Sequence, residues 1–105
     1  MNSQKKYGLR YERTRKKMLE AEGWTMMRSR GSFGAFDLIG CHTDKGWLLE
    51  SVKSTKIGKY SAKKEIEKIT NFNNAPVGTI KRLVLFSKGK MKILYVGIIQ
   101  EEGVS

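Results

Sequence analysis

Residues 35–53 read AFDLIGCHTDKGWLLESVK, and this stretch decides the fold. It holds two apolar runs of strand length, separated by the polar turn at residues 43–46. Because side chains alternate between the two faces of a strand, Asp37 enters an apolar layer of the first strand, while Ser51 and Lys53 share one face of the second. If the two strands pair around the turn, Asp37 and Lys53 converge at the end of the sheet remote from it.

The rest of the chain alternates between helical and extended patterns. Gly23 follows a long helical pattern and is expected to end that helix, and Ser61 is expected to cap the start of a second helix. In chain order the patterns predict a helix at 5–22, a strand at 24–30, a loop at 31–34, strands at 35–42 and 47–55, a helix at 61–74, and strands at 80–86 and 91–99. The order α, β, β, β, α, β, β is typical of a mixed α/β domain.

Composition bounds the class of protein. The 105 residues suit one domain, 1–105, with a small core that oligomerisation would help to stabilise. The net charge of +11 exceeds the magnitude of about 2 to 8 that is usual for a small domain, which indicates a polyanionic partner. No run approaches the roughly 18 apolar residues of a membrane span, and a single Cys41 excludes an internal disulfide, so a cytoplasmic protein is expected.

Asp37 and Lys53 are the residues that could do chemistry. A carboxylate is a hard oxygen ligand for Mg²⁺ or Mn²⁺, and a nearby lysine can orient or activate an attacking water, which together serve phosphodiester hydrolysis. A simple ion pair between neighbouring strands is the alternative. His42 lacks a second histidine or a cysteine pair, so a zinc site is not expected.

Three segments together resemble the archaeal-type Holliday junction resolvases, which are members of the PD-(D/E)XK nuclease superfamily. They are the first helix with Glu12, the loop and strand at 31–39 and the strand at 48–54. The resemblance implies a restriction-endonuclease-like αβββαβ core, with a central mixed sheet flanked by helices. It also implies that Glu12 and Asp37 support a divalent metal ion, that Lys53 positions the nucleophilic water, and that Ser32 lies in the loop near the scissile phosphate.

Ser51 departs from the family pattern, which has an acid two residues before the lysine. A neutral hydroxyl is a much poorer ligand for a hard cation than a carboxylate, so the expected metal site is one charge short. Glu50 could replace the acid only if a β-bulge turned it inward. By resemblance to restriction endonucleases that carry Ser-Val-Lys here, the following helix could supply the acid, and the helical period favours Glu65 over Glu67.

Two further interpretations of Ser51 stay open. The metal ion could be held by Glu12, Asp37, a strand carbonyl and waters, or Ser51 could mark an inactivated variant.

The basic residues concentrate around Asp37 in the predicted arrangement. Contacts from lysine and arginine to backbone phosphates do not read base edges, so recognition of DNA shape with weak sequence preference is expected. The expected DNA-binding residues are Lys5, Lys6, Arg10, Arg13, Arg28, Arg30, Lys56 and Lys59.

These observations favour a metal-dependent, structure-selective endodeoxyribonuclease that resolves four-way DNA junctions. A junction needs two symmetric incisions and one subunit carries one site, so a homodimer is expected. The alternatives are a catalytically weakened protein that binds branched DNA, and a nuclease of the same superfamily that acts on other DNA structures.

Overall fold

A computed structural model of the chain describes residues 3–33, 35–55 and 62–101, without the side chains of residues 3–9 and 30–33. The elements in chain order are α1 (Ser3–Ala21), β1 (Thr25–Phe33), β2 (Phe36–His42), β3 (Gly46–Thr55), α2 (Lys63–Asn71), β4 (Ile80–Ser87) and β5 (Lys90–Ile98). This confirms the predicted mixed α/β class and the element order. In the described part of the chain, no helix is long and apolar enough to cross a membrane.

The five strands form one mixed sheet in the order β1-β2-β3-β4-β5. β3 and β4 are parallel, and the other neighbouring pairs are antiparallel. β2 and β3 pair as the predicted hairpin, from Leu38 opposite Glu50 to His42 opposite Gly46. Gly46 has φ +82°, a conformation that glycine adopts without a steric penalty, so it suits the turn. The hairpin register brings Asp37 to the end of the sheet where Lys53 lies.

Two apolar clusters hold one helix on each face of the sheet. On one face Leu19 of α1 packs with Leu48 and Val52 of β3, and on the other Ile69 of α2 packs with Leu49 and with residues of β2 and β4. The alternation of β3 between these two clusters is the period-2 pattern that the sequence predicted. Leu19 and Ile69 are fully buried, and burying side chains of this size contributes about 1.5–3 kcal/mol each.

The first helix ends as Gly23 predicts. Gly23 has φ +99°, its N–H donates to the carbonyl of Glu20 at 3.1 Å, and the N–H of Trp24 donates to the carbonyl of Leu19 at 3.1 Å. This is the Schellman arrangement, in which a left-handed residue after the helix lets the chain satisfy the last carbonyls.

Two predicted boundaries were wrong. β1 continues through Phe33, which pairs with Phe36, so residues 31–33 belong to a strand and not to the predicted loop. α2 ends at Asn71 and not near Asn74, because Lys81 donates hydrogen bonds to the last helical carbonyls in place of another turn of backbone N–H groups. The predicted cap at Ser61 lies outside the described residues, and Ala62 at that helix end makes no side-chain cap.

Candidate active site

Asp37 lies against the backbone of the neighbouring strand. Its Oδ2 accepts a hydrogen bond from the N–H of Val52 at 2.7 Å. Asp37 directly precedes Leu38, which pairs with Glu50 at the end of the β2–β3 ladder. The carboxylate is only partly accessible to solvent, as expected for an acid that enters an apolar layer. The hydrogen bond fixes Asp37 between Ser51 and Lys53, so an acid and a lysine do meet at this end of the sheet.

Lys53 lies beside an acid of α2. Its Nζ is 3.9 Å from Oε2 of Glu65, and the two side chains are 33% and 24% exposed. Glu65 belongs to the first turn of α2, which begins at the end of the sheet where β3 ends. Glu67, two residues further on, is exposed. The helical period thus brings Glu65, and not Glu67, to Lys53, as the sequence pattern indicated.

Glu12 approaches the same place from the opposite face. Nε of Arg28 on β1 donates to Oε1 of Glu12 at 3.3 Å, and both side chains are about a quarter exposed or less. Arg28 faces Leu38 in the β1–β2 pairing, so it joins α1 to the strand that carries Asp37. The Glu12 carboxylate is close enough to interact electrostatically with Asp37 and Lys53.

The pKa values of both acids are raised. Burial is the main reason that the pKa of Asp37 exceeds its ordinary value; Glu65 raises it further, and the Val52 N–H and Lys53 oppose the shift. Burial also raises the pKa of Glu12, followed by repulsion from Asp37, while Arg28 and Lys53 lower it. Partly buried carboxylates that repel each other would be stabilised in their charged forms by an additional cation.

Ser51 is fully buried, and its hydroxyl has no hydrogen-bond partner within the described structure. It lies on the same face of β3 as Leu49 and Lys53, next to the peptide that binds Asp37. A buried hydroxyl without a partner is uncommon because its desolvation is not repaid. The position at which the family pattern has an acid is therefore a polar, unsatisfied point beside Asp37.

Glu50, which the sequence offered as a replacement acid only if a β-bulge turned it inward, does not belong to this group. It lies on the other face of β3, fully buried, and accepts hydrogen bonds from Nη2 of Arg15 at 3.1 Å and from Nε of Arg82 at 3.0 Å, with a further bond from Nε of Arg15. The β2–β3 register is regular through Glu50, so no bulge turns it toward Asp37. The sequence carried a signal for this network, since an acid between Leu48 and Val52 faces the core and needs a buried cation.

The predicted DNA-binding residues divide by what the structure describes. Arg10 and Arg13 are exposed on α1, and Arg28 is bonded to Glu12. Arg15, a further basic residue of α1, is buried against Glu50 and is not exposed at the surface. The remaining predicted DNA-binding residues lie outside the described residues or side chains: Lys5, Lys6, Arg30, Lys56 and Lys59. The side chain of Ser32, predicted to lie near the scissile phosphate, is also outside them.

The donor set suits a hard, hydrated cation and no closed metal cage. Within residues 3–33, 35–55 and 62–101, no three His, Cys, Asp or Glu side chains are grouped closely enough to hold an ion by themselves. The oxygen donors near Asp37 are the carboxylates of Glu12 and Glu65 and the unpartnered hydroxyl of Ser51. Mg²⁺ keeps several waters and is commonly bound through one or two carboxylates, so this set fits it.

A mixed sheet with Asp37 and Lys53 on neighbouring strands, and with acids approaching from a helix on each face, is the arrangement that the resemblance to the PD-(D/E)XK nucleases implied. A crystal structure of the Holliday junction resolvase Hjc from Archaeoglobus fulgidus has the same fold: the TM-score is 0.65 at 21% identity, over 83% of this chain and 70% of the other. The crossover junction endodeoxyribonuclease Hjc of Methanocaldococcus jannaschii is 38% identical over 66 residues. That match covers 63% of this chain and 49% of the relative, so the chain spans about half the length of the curated relative it matches.

The family model of the archaeal Holliday junction resolvases (Hjc) matches residues 3–104. The chain therefore belongs to the archaeal Holliday junction resolvase family.

Proposed function

We propose that this protein is a metal-dependent endodeoxyribonuclease that resolves four-way DNA junctions by hydrolysing phosphodiester bonds. The observation that carries the proposal is the convergence of Asp37, Glu12, Glu65 and Lys53 at one end of the sheet, in a chain that belongs to the Hjc family. The curated relative from Methanocaldococcus jannaschii is a crossover junction endodeoxyribonuclease, which supports the same reaction here.

The acids are assigned to a Mg²⁺ or Mn²⁺ ion. Asp37 and Glu12 would hold it, and Glu65 would supply the negative charge that Ser51 lacks. When bound, such an ion supplies Lewis-acid stabilisation of the phosphate and lowers the pKa of a coordinated water. Asp37 repels both Glu12 and Glu65, and a bound cation would relieve this repulsion, which favours cation binding at the site.

Lys53 is assigned to the nucleophilic water. Its ammonium group is 3.9 Å from Oε2 of Glu65 and interacts electrostatically with Asp37, so it can donate to a water in this polar site and hold it for attack on the phosphorus. Ser32 is proposed to contact the scissile phosphate, on the family resemblance alone. Hydrolysis breaks the bond from phosphorus to one of its ester oxygens, and the departing oxygen takes a proton.

The proposed substrate is branched DNA bound through its backbone. Exposed Arg10 and Arg13 on α1 lie on the helix that carries Glu12, which supports phosphate contacts next to the site. Two symmetric incisions in a junction require two sites, so we propose that the active form is a homodimer.

Cleavage of a labelled four-way junction in Mg²⁺ or Mn²⁺ tests the proposal, with Asp37→Asn as the inactive comparison. We expect the wild type to cut and Asp37→Asn to bind the junction without cutting it. Binding by both proteins with cleavage by neither would favour the second candidate, a catalytically weakened protein that binds branched DNA. The observation behind that candidate is the neutral Ser51 in place of an acid. Duplex and flap substrates in the same assay distinguish a resolvase from a nuclease with another preference.

Glu65→Gln and Glu67→Gln form a matched pair that tests the source of the missing charge. Both changes remove one acid from the same helix, but only Glu65 lies beside Lys53. We expect Glu65→Gln to lower the cleavage rate at least tenfold, which corresponds to a rise of about 1.4 kcal/mol in the activation free energy. Glu67→Gln should leave the rate within twofold. Equal rates for the two variants, with a faster Ser51→Glu, would exclude Glu65 as the replacement.

A further inference from the structure

The turn between β4 and β5 is a tight, lysine-rich hairpin. Ser87 pairs with Lys90, and the two residues between them, Lys88 and Gly89, have φ values of +51° and +76°. Positive φ at both central residues is the signature of a type I′ turn, whose twist matches that of the strands. The hairpin therefore presents its lysines on a defined backbone. The three basic side chains are Lys88, Lys90 and Lys92, and all are exposed.

The sheet register brings this hairpin to the end where Asp37 lies. β4 runs parallel to β3, so Lys53 pairs with Leu85 and Thr55 pairs with Ser87. On the other side of β4, Leu85 pairs with Lys92. Directly paired residues point to the same face of a sheet, so Lys92 and Lys53 share a face. The hairpin is thus an extension of the candidate active site along the end of the sheet.

The charges of these three lysines are not neutralised by ion pairs within the described structure. None of the three lysines forms an ion pair with an acid of residues 3–33, 35–55 or 62–101. Lys81, on strand β4 of the same hairpin, differs from these three lysines in being buried. Its ammonium group donates to the carbonyls of Ile69, Thr70 and Phe72. Lys81 has a structural role, whereas the exposed lysines are available to an external anion.

We propose that Lys88, Lys90 and Lys92 bind the phosphate backbone of the duplex that is cut, as a second contact apart from the basic residues of α1. β2 and β5 are separated by three strand spacings, about 14 Å. That distance corresponds to about four base-pair steps of duplex DNA. For a duplex whose axis runs across the strands, the hairpin contacts the arm about four base pairs from the phosphate at Asp37, whatever the base sequence. The identity of the polyanion as DNA rests on the proposed function.

Two double variants that remove the same charge test the hairpin. Lys90→Gln with Lys92→Gln removes the two positive charges at the start of β5. It leaves Lys88, whose backbone has a positive φ, unchanged. Lys45→Gln with Lys68→Gln is the control. Lys45 lies in the turn at the opposite end of the sheet, and Lys68 is exposed in the last turn of α2. Binding of a labelled duplex and a labelled four-way junction is measured without divalent metal over a range of salt concentrations.

The association constant for DNA falls as the salt concentration rises. We expect the hairpin variant to make the slope of log association constant against log salt concentration shallower by about 1.8, since each of the two lost phosphate contacts contributes about 0.9. At 0.1 M salt this corresponds to a loss of affinity of up to about 60-fold. The control variant should bind within threefold of the wild type with an unchanged slope. Equal changes in the two variants, or no change in either, would overturn the proposal.

The test separates this inference from the proposed function. If the wild type binds DNA but does not cut it, a loss specific to the hairpin variant still supports the hairpin contact while the nuclease proposal fails. If the wild type cuts junctions and the hairpin variant binds like the control, only the hairpin inference fails. Thermal unfolding of both variants confirms that the exposed substitutions leave the fold intact.

Discussion

Glu50 and Asp37 are acids on adjacent strands, and their surroundings differ sharply. Glu50 is 0% exposed and is bound by two guanidinium groups, those of Arg15 and Arg82. Asp37 is partly exposed and accepts a hydrogen bond from a backbone N–H, and the nearest lysine is shared with Glu65. A buried charge must be paired, whereas a site that binds a cation must keep some of its negative charge uncompensated. The comparison separates a structural acid, Glu50, from the acid that we propose to be functional, Asp37.

The charges of the described residues express the same difference. Around Glu50, two cations face one acid, and the network joins α1, β3 and β4. Around Asp37, the acids Glu12, Asp37 and Glu65 face only Lys53 and Arg28. Proteins retain an excess of like charge in a partly buried place when a ligand neutralises it, and a divalent cation would do so here.

Removing the acid of the Glu50 network should give the largest change in stability. Glu50→Ala leaves the buried guanidinium group of Arg15 and the largely buried one of Arg82 without their partner, so we expect a loss of about 3–5 kcal/mol in the free energy of unfolding. Urea denaturation measures it. Glu20→Ala is the control, because Glu20 forms an exposed pair with Lys16 on the same helix, worth about 0.3–0.5 kcal/mol. A Glu50→Ala loss as small as that of the control would break the distinction between the two acids.

Adding a divalent cation should act only on the Asp37 group. With Mg²⁺ or Mn²⁺ at about 100 times its dissociation constant, the folded state gains about 2.7 kcal/mol by mass action. The rise in unfolding temperature should vanish in Asp37→Asn and return to zero when a chelator is added. An equal rise in the wild type and in Asp37→Asn would show that the ion binds elsewhere.

The dependence of stability on pH should sharpen the comparison further. The folded pKa of Asp37 lies above its ordinary value of 3.8, so the folded state holds this proton more tightly than the unfolded chain does. The stabilisation is complete below the unfolded pKa and is lost as the pH rises through the folded one. Asp37→Asn retains an oxygen that can accept from Val52 and removes this loss, so it should be more stable than the wild type at pH 7.

Stability curves from pH 3 to 7 without metal ions check this expectation. The difference between Asp37→Asn and the wild type should grow with pH across the interval that starts near 3.8. A difference that is constant with pH would contradict the raised pKa of Asp37.

Ser51→Ala should give the smallest effect. The hydroxyl is buried without a partner, so replacing it by a methyl group removes an unsatisfied polar atom and should raise the free energy of unfolding by up to about 1 kcal/mol. Ser54→Ala is the control, since Ser54 is exposed on the same strand and should change stability by less than about 0.5 kcal/mol. A loss of stability in Ser51→Ala would mean that the hydroxyl has a partner.

The alternation of the two central strands made most of the site predictable. Period 2 assigns Ser51 and Lys53 to one face of β3, and the hairpin turn sets the register that brings Asp37 beside them. The period of α2 similarly distinguished Glu65 from Glu67. Patterns of this kind are local, so they survive in a single sequence.

Long-range pairing explains what was missed. Arg15 and Arg82 lie far from Glu50 along the chain, and nothing local to either arginine indicates that it binds a buried acid. The end of α2 was misjudged for the same reason, because Lys81, which binds its last carbonyls, comes from the next strand. The extension of β1 through Phe33 depends on pairing with Phe36, which composition alone does not indicate.

The parallel pairing of β3 and β4 has a consequence for how this protein's relatives are recognised. A chain that leaves one strand and returns beside it in the same direction must cross the sheet, and α2 makes that crossing from the end where β3 stops. Glu65 therefore lies beside Lys53, two residues from Ser51 along β3, and in the proposed function the helix supplies the acid that this strand lacks. A sequence motif that requires the acid two residues before the lysine does not detect chains whose acid lies on the helix. A structural search for an acid close to the lysine detects them.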